Sequence, residues 1–262
     1  MSHIRPAAVA GLFYPGDPQV LQQMVEGFLA DNPASSPTPA ALIVPHAGLV
    51  YSGPIAARAY SALVSAGGAR RWHRVLLLGP NHRVPLRGIA APDADRFATP
   101  LGSLGVDLQG LVELEREFDV QVRPDVHELE HCLEVQLPFI KTLLPAVALI
   151  PLVVGQVAPE AVARIIDWAW GQGDVLVVIS SDLSHYHSYS EAQRIDAETD
   201  SHILRLDHDV RPDQACGAYA LNGLTLAAQR RGLKIQRLDL RNSGDTAGSR
   251  DQVVGYGSYV LY

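Results

Sequence analysis

Three segments of this chain are apolar at every position over the length of a β-strand. They are Ala41, Leu42, Ile43 and Val44; Val75, Leu76, Leu77 and Leu78; and Val175, Leu176, Val177, Val178 and Ile179. A strand with one face in water alternates between apolar and polar residues, whereas one that is apolar throughout is covered on both faces. Such strands belong to a sheet layered between helices. The intervening segments have the 3.6-residue periodicity of helices, so the expected class is α/β, with a central, mostly parallel or mixed sheet flanked by helices. Other architectures are excluded by composition. Hydrophobic residues at 47% and charged residues at 19% fit neither a disordered nor a fibrous chain. The apolar runs are too short for a bilayer span, and a net charge of -7 argues against a phosphate-backbone binder. No nucleic-acid or membrane partner is therefore expected.

In chain order, residues 18–30 read as a helix with Asp17 as N-cap and a stripe of Val20, Leu21, Met24, Val25 and Phe28. Residues 32–39 form a Ser/Pro-rich loop, too short to link two domains. A strand at 40–44, a helix at 54–64 and a strand at 74–78 follow. Helices are expected at 107–118 and 130–144, then a strand at 147–154, a helix at 159–170 and a strand at 174–180. Helices at 191–206 and 217–230, the latter capped by Gly232, lead to strands at 234–240 and 252–261. No repeat or composition shift divides the 262 residues, which predicts a single domain. Cys132 and Cys216 are the only cysteines, and the first sixteen residues lack a basic-then-apolar leader. Free thiols and a cytoplasmic setting are expected.

Ten histidines against two methionines and five phenylalanines is the unusual entry in the composition. Three of the apolar strands run into one: His46, His82 and His185. Ligand sites in open α/β sheets lie beyond the carboxyl ends of strands, and histidine is both the commonest metal ligand and an acid/base suited to neutral pH. At least two of these histidines are expected to share a site. A second group is His127, Glu130, His131 and Glu134. If residues 127–134 were helical, His127, His131 and Glu134 would share a face, either as a polar patch bordering the main site or as a purely structural feature. Cys132 reads as a packed small residue. Cys216 precedes Gly217 at a helix start, where the dipole lowers a thiol's pKa; it reads as a soft ligand or nucleophile, or as an inert buried cysteine. No nucleotide-binding loop or serine-nucleophile elbow follows a strand.

These residues resemble the Memo family, whose bacterial and archaeal members are called AmmeMemoRadiSam system protein B. The resemblance rests on residues 44–48 (Val-Pro-His-Ala-Gly) with 51–53, residues 78–82 (Leu-Gly-Pro-Asn-His) with 84–86, Glu130 and His131 with Glu134, Leu137 and Pro138, residues 180–185 (Ser-Ser-Asp-Leu-Ser-His), and Cys216 with Gly217. Residues 99–101 and 11–14 also fit, so the likeness spans essentially the whole chain.

The family is similar in fold to LigB-type class III extradiol dioxygenases, which hold Fe(II) with two histidines and a carboxylate. For this chain the resemblance implies a metal site of His46, His82 and Cys216, with His185 as acid/base. On the reading of these residues as a redox site, His185 would shuttle a proton with Asp182 orienting it, or with His131 and Glu134 forming an outer shell. Thiolate in place of carboxylate departs from the ordinary triad, so ring cleavage does not follow from the likeness. The expected cofactor is a divalent or redox metal ion, iron or copper before zinc. The expected function is a non-haem metal-dependent redox enzyme acting on a small molecule or a peptide segment in the crevice. The alternatives are a metal-binding or partner-binding protein without turnover, and a zinc-dependent hydrolase.

Overall fold

A computed structural model describes residues 3–31, 37–66 and 71–262; most of the 32–39 loop thus lies outside the described residues. The described elements begin with β1 (Ile4–Arg5), α1 (Pro18–Ala30), β2 (Ala41–Val44), α2 (Leu49–Ser65), β3 (Arg74–Pro80), β4 (Ile89–Ala91), β5 (Arg96–Phe97) and β6 (Leu104–Val106). The middle of the chain supplies α3 (Leu108–Phe118), β7 (Val120–Val122), α4 (Pro124–Glu128), α5 (Leu137–Leu143), β8 (Ala148–Val154), α6 (Pro159–Gly171) and β9 (Val175–Ser180). It closes with β10 (His185–His187), α7 (Tyr189–Leu204), α8 (Ala218–Arg231), β11 (Ile235–Asn242) and β12 (Val253–Leu261).

The strands form one mixed sheet with the order β1-β5-β6-β8-β3-β9-β2-β12-β10, to which β11 adds beside β12 and β4 beside β8 and β7. Its centre is parallel: β8, β3, β9 and β2 run the same way, and β12 closes antiparallel on β2. The apolar continuity of these strands now has its cause. Leu42, Val44, Leu77 and Val178 point into one core with α1, α2 and α5, while Ile43, Leu76, Leu78, Val177 and Ile179 point into the other with α3, α6 and α8. Successive side chains alternate between two apolar layers, so every position must be apolar. No helix among the described residues is long and apolar enough to cross a membrane.

Helix α1 has the predicted bounds, and Asp17 accepts from the N–H groups of Gln19 and Val20. Helix α2 begins five residues earlier than expected, with Pro54 inside it. The expected helix over 130–144 is a correction. Only α5 is α-helical there, preceded by a short 3-10 turn at Glu134–Gln136. The reason is Glu130, whose Oε1 accepts from the following N–H groups of His131 and Cys132 at 2.9 and 3.1 Å. That local turn competes with helix formation. With α4 ending at Glu128, His127, His131 and Glu134 do not share a helical face and point to three different places.

His127 is one of the three, and it is buried: its Nε2 donates to the Ala90 carbonyl at 2.9 Å. Burial pushes its pKa down to about 4, while in the unfolded chain the imidazole takes a proton near pH 6.5. The unfolded state therefore binds more protons below that pH, and stability falls as pH drops from about 6.5 toward 4. The slope is about 1.4 kcal/mol per pH unit for such a group. Urea melts at pH 7 and pH 5 should show this loss, and His127→Asn should make it shallower by roughly 2 kcal/mol. An unchanged difference between the two pH values would mean His127 is already protonated in the fold.

Candidate metal centre

Strands β3, β9 and β2 lie side by side and parallel, so their carboxyl ends open on one crevice. His46 follows β2, His82 follows β3, and Asp182 and His185 follow β9. Cys216 enters just before α8, whose N-cap Gly217 sits against Ser181; a Cβ there would come within 2.6 Å of the Ser181 Cβ, so glycine permits the approach. All three strand-end histidines line the crevice, together with His131 and Asp182, in a cavity of about 620 Å³.

Three imidazoles converge. Ring centroids lie 5.2 Å apart for His46 and His82, 5.5 Å for His46 and His131, and 4.5 Å for His82 and His131. One nitrogen from each lies within 4.8 Å of the other two. Cys216 Sγ is 3.3 Å from His46 Nε2. Two ligands of one tetrahedral ion, at the usual bond lengths to nitrogen and sulfur, would stand about 3.5 Å apart. His131 thus reaches the cluster itself, nearer than the bordering role read from the sequence.

The hydrogen bonds assign the tautomers. Ser180 Oγ donates its single proton to the Cys132 carbonyl at 2.7 Å and accepts from Gln136 Nε2 at 2.8 Å. Toward His46 Nδ1, 2.9 Å away, it acts as an acceptor. Nδ1 of His46 therefore carries the proton, and the Nε2 lone pair faces Cys216. His82 is fixed by Glu130, whose Oε1 lies 2.8 Å from Nδ1 and whose Oε2 accepts from the His82 N–H at 2.6 Å. Burial pushes the Glu130 pKa up, but the bonds and charge of His82 outweigh it and hold the carboxyl at about 2. An ionised carboxylate only accepts, so His82 donates to it from Nδ1, and the ring is oriented with Nε2 on its other side. A carboxylate or hydroxyl behind each imidazole is the usual support of a metal-ligating histidine. His131 Nδ1 is buried with no hydrogen bond, 3.3 Å from Glu130 Oε1.

Burial, then the charges of neighbouring histidines, pushes the His46 pKa well down and that of His131 to about 4. Both rings are neutral at physiological pH and ready to donate lone pairs. For Cys216 the expectation of a lowered thiol pKa is corrected: burial, then the Asp182 carboxylate, pushes the thiol up. Removal from water outweighs the start of α8, although the Asp182 N–H donates to Sγ at 3.3 Å. A cation beside the sulfur reverses that balance. Asp182 accepts from the His46 N–H at 2.7 Å, and its own pKa is raised by burial. A buried His46 with Nε2 free, a thiol in contact with it and two further imidazoles nearby fit a divalent ion that accepts nitrogen and sulfur ligands.

Glu134 lies apart from this group. It is fully buried and accepts from Arg5 Nη1, the N–H groups of Ala8 and Val9, and the Tyr14 hydroxyl. It anchors the N-terminal segment and does not line the crevice. Sequence reasoning missed Ser180 and Gln136, which are linked to His46 only across long separations. It saw Glu130, but not that this residue grips His82.

A family model described as Memo-like protein matches residues 5–260. The chain belongs to the Memo family. Curated relatives include MEMO1 family proteins of Saccharolobus islandicus (strain Y.G.57.14) and Saccharolobus solfataricus. Both are 32% identical, over 278 and 279 residues, and in each comparison 96% of this chain and 97% of the relative are covered. The MEMO1 family protein of Sulfolobus acidocaldarius is 32% identical over 281 residues, covering 97% of both chains. Among solved structures, an uncharacterized protein from Escherichia coli K12 aligns with a TM-score of 0.52 at 14% identity, covering 82% of this chain and 98% of its own. That likeness shows a shared fold alone. The Memo fold here carries a candidate metal-binding group of histidine, glutamate and cysteine.

Proposed function

We propose that this Memo-family protein is a non-haem, metal-dependent redox enzyme related to extradiol dioxygenases. His46, His82 and Cys216 hold the ion, and His131 stands beside them. The observation that carries this reading is His46, whose Nδ1 is held by Ser180 and whose Nε2 stands 3.3 Å from the Cys216 thiol, with a nitrogen of His82 within 4.8 Å of one of its own. Thiolate with imidazole favours iron or copper, and zinc is accommodated by the same donors. Bound there, the ion supplies Lewis acidity and electrons. The chain's residues do the rest. Ser180 and Glu130 hold the ligand rings in orientation. His185, on the same crevice wall as Asp182, holds or takes a proton from substrate. The substrate is a small molecule or a peptide segment that fits the 620 Å³ crevice. A reducing, cytoplasmic setting suits the two free thiols.

Anaerobic metal analysis of protein expressed without added metal, followed by oxygen uptake over a catechol panel, tests this. Iron or copper is expected at one ion per chain, with uptake that His185→Ala abolishes while metal content stays intact. Metal without uptake would favour a binding protein that has lost turnover. Zinc without uptake would favour a hydrolase. Loss of metal in His185→Ala would make that residue a ligand.

A further inference from the structure

Three non-glycine residues among those described have left-handed backbone: Asp119 (φ 55°), Leu206 (φ 58°) and Tyr186 (φ 60°). Two have an ordinary reason. Asp119 caps the end of α3, and Leu206 follows the cap of α7, positions where chains leave helices through this conformation. Tyr186 has no such reason. It sits inside β10, where the pairing to β12 shifts between His185 and His187, as the extra residue of a bulge. Glycine is the residue that takes a left-handed bulge position without strain, and a bulky aromatic is among the costliest. Packing does not repay the strain either, because Tyr186 is 71% exposed.

What the side chain gains is its location. Its ring stands 5.9 Å from that of His185 at 60°, and it lines the mouth of the crevice with Phe13, Tyr51 and Tyr256. Bulges next to sites re-aim side chains, and strain is retained where function needs the geometry. Among the described residues no lysine or arginine lines this crevice, so away from the ion and its histidines no cation pairs with an anionic group on the substrate. We propose that Tyr186 is a specificity residue that stacks on an uncharged aromatic ring of the substrate and holds it against His185. This rests on the crevice being the substrate site, as proposed above, and not on which ion occupies it.

Two probes of matched size and oxygen content, anisole and cyclohexyl methyl ether, isolate ring stacking from chelation. Binding is measured by NMR titration on metal-loaded and metal-stripped protein. The parent should bind anisole more tightly than the ether, and Tyr186→Phe should match it. Tyr186→Ala and Tyr186→Gly should lose about two- to tenfold in anisole affinity, the range of one aromatic pair, with the ether unchanged. Tyr186→Gly should also raise the urea midpoint, because it alone relieves the backbone. The inference is overturned if the parent does not prefer anisole, if Tyr186→Ala binds it as the parent does, or if Tyr186→Gly leaves the midpoint where it was. An anisole preference that persists in protein unable to hold metal would sink the metal reading and leave this one standing.

Discussion

Cys216→Ser is expected to weaken iron(II), copper or zinc binding by at least about a hundredfold, the upper end of what loss of a ligand's supporting partner costs, and to abolish proton release on binding. The two effects share a cause. Burial raises the Cys216 pKa, so at neutral pH the sulfur meets the ion as a thiol and must lose its proton to bind. His46 loses none, because its proton sits on Nδ1 against Ser180 and its Nε2 is already bare. The parent should release one proton per ion, and its affinity should rise about tenfold per pH unit through neutrality. Acid competition from His131 adds only toward pH 4, and His46, lowered by burial, also competes well below the usual histidine range. In Cys216→Ser the hydroxyl stays protonated, so the slope should flatten. Anaerobic titration calorimetry in two buffers of different ionisation enthalpy counts the protons directly. A parent that releases none and a variant that binds as tightly would transfer the third ligand to His131. In that event His131→Ala, and not Cys216→Ser, would lose the metal.

That contest between Cys216 and His131 shows where sequence reading stops. The strand ends were legible because apolar continuity is local: β2, β3 and β9 each end within a few residues of a histidine or aspartate, and parallel order brings those ends together. Helix α1 was legible to the residue because Asp17 and Pro18 mark its start by short-range chemistry. The short strands β1, β5 and β10 carry no pattern of their own. They exist because of pairings such as Ile4 with Arg96 and His185 with Val254, which no local window contains.

The segment 130–144 failed for a related reason. Its apolar spacing suits a helix, yet the Glu130 carboxylate is drawn out of helical geometry by His82, a partner 48 residues away. The same long-range bond turns a residue that the sequence places in a bordering polar patch or a structural role into the support of a candidate ligand. Protonation was the least legible property of all. The helix-start argument for Cys216 is correct in sign, but the burial that outweighs it depends on Asp182 and the surrounding packing.

The largest stability effect is expected at Glu134. Its carboxylate is fully buried and receives four donors: Arg5 Nη1 at 2.6 Å, the Ala8 and Val9 N–H groups at 2.8 and 2.9 Å, and the Tyr14 hydroxyl at 2.5 Å. Arg5 is itself only 5% exposed, and its other nitrogens donate to the carbonyls of His127 at 2.7 Å and Glu130 at 2.6 Å. Glu134→Ala leaves that guanidinium buried without its counter-charge and two backbone N–H groups without an acceptor. Breaking a buried pair from one side costs about 3–5 kcal/mol, and urea melts at pH 7 should show a loss of that size. Glu134→Gln should fall between parent and alanine variant, since its amide oxygen still accepts while its NH₂ faces donors. Replacing both partners, with Arg5→Met and Glu134→Leu together, should recover part of the loss because no orphan charge remains. The Arg5 bond to the Glu130 carbonyl also ties this pair to the segment that grips His82. Glu134→Ala should therefore weaken metal binding even though its side chain lies outside the crevice. A loss under about 1 kcal/mol, the range of an exposed ion pair, would mean that water reaches Arg5 and that the N-terminal segment is held by its apolar contacts instead.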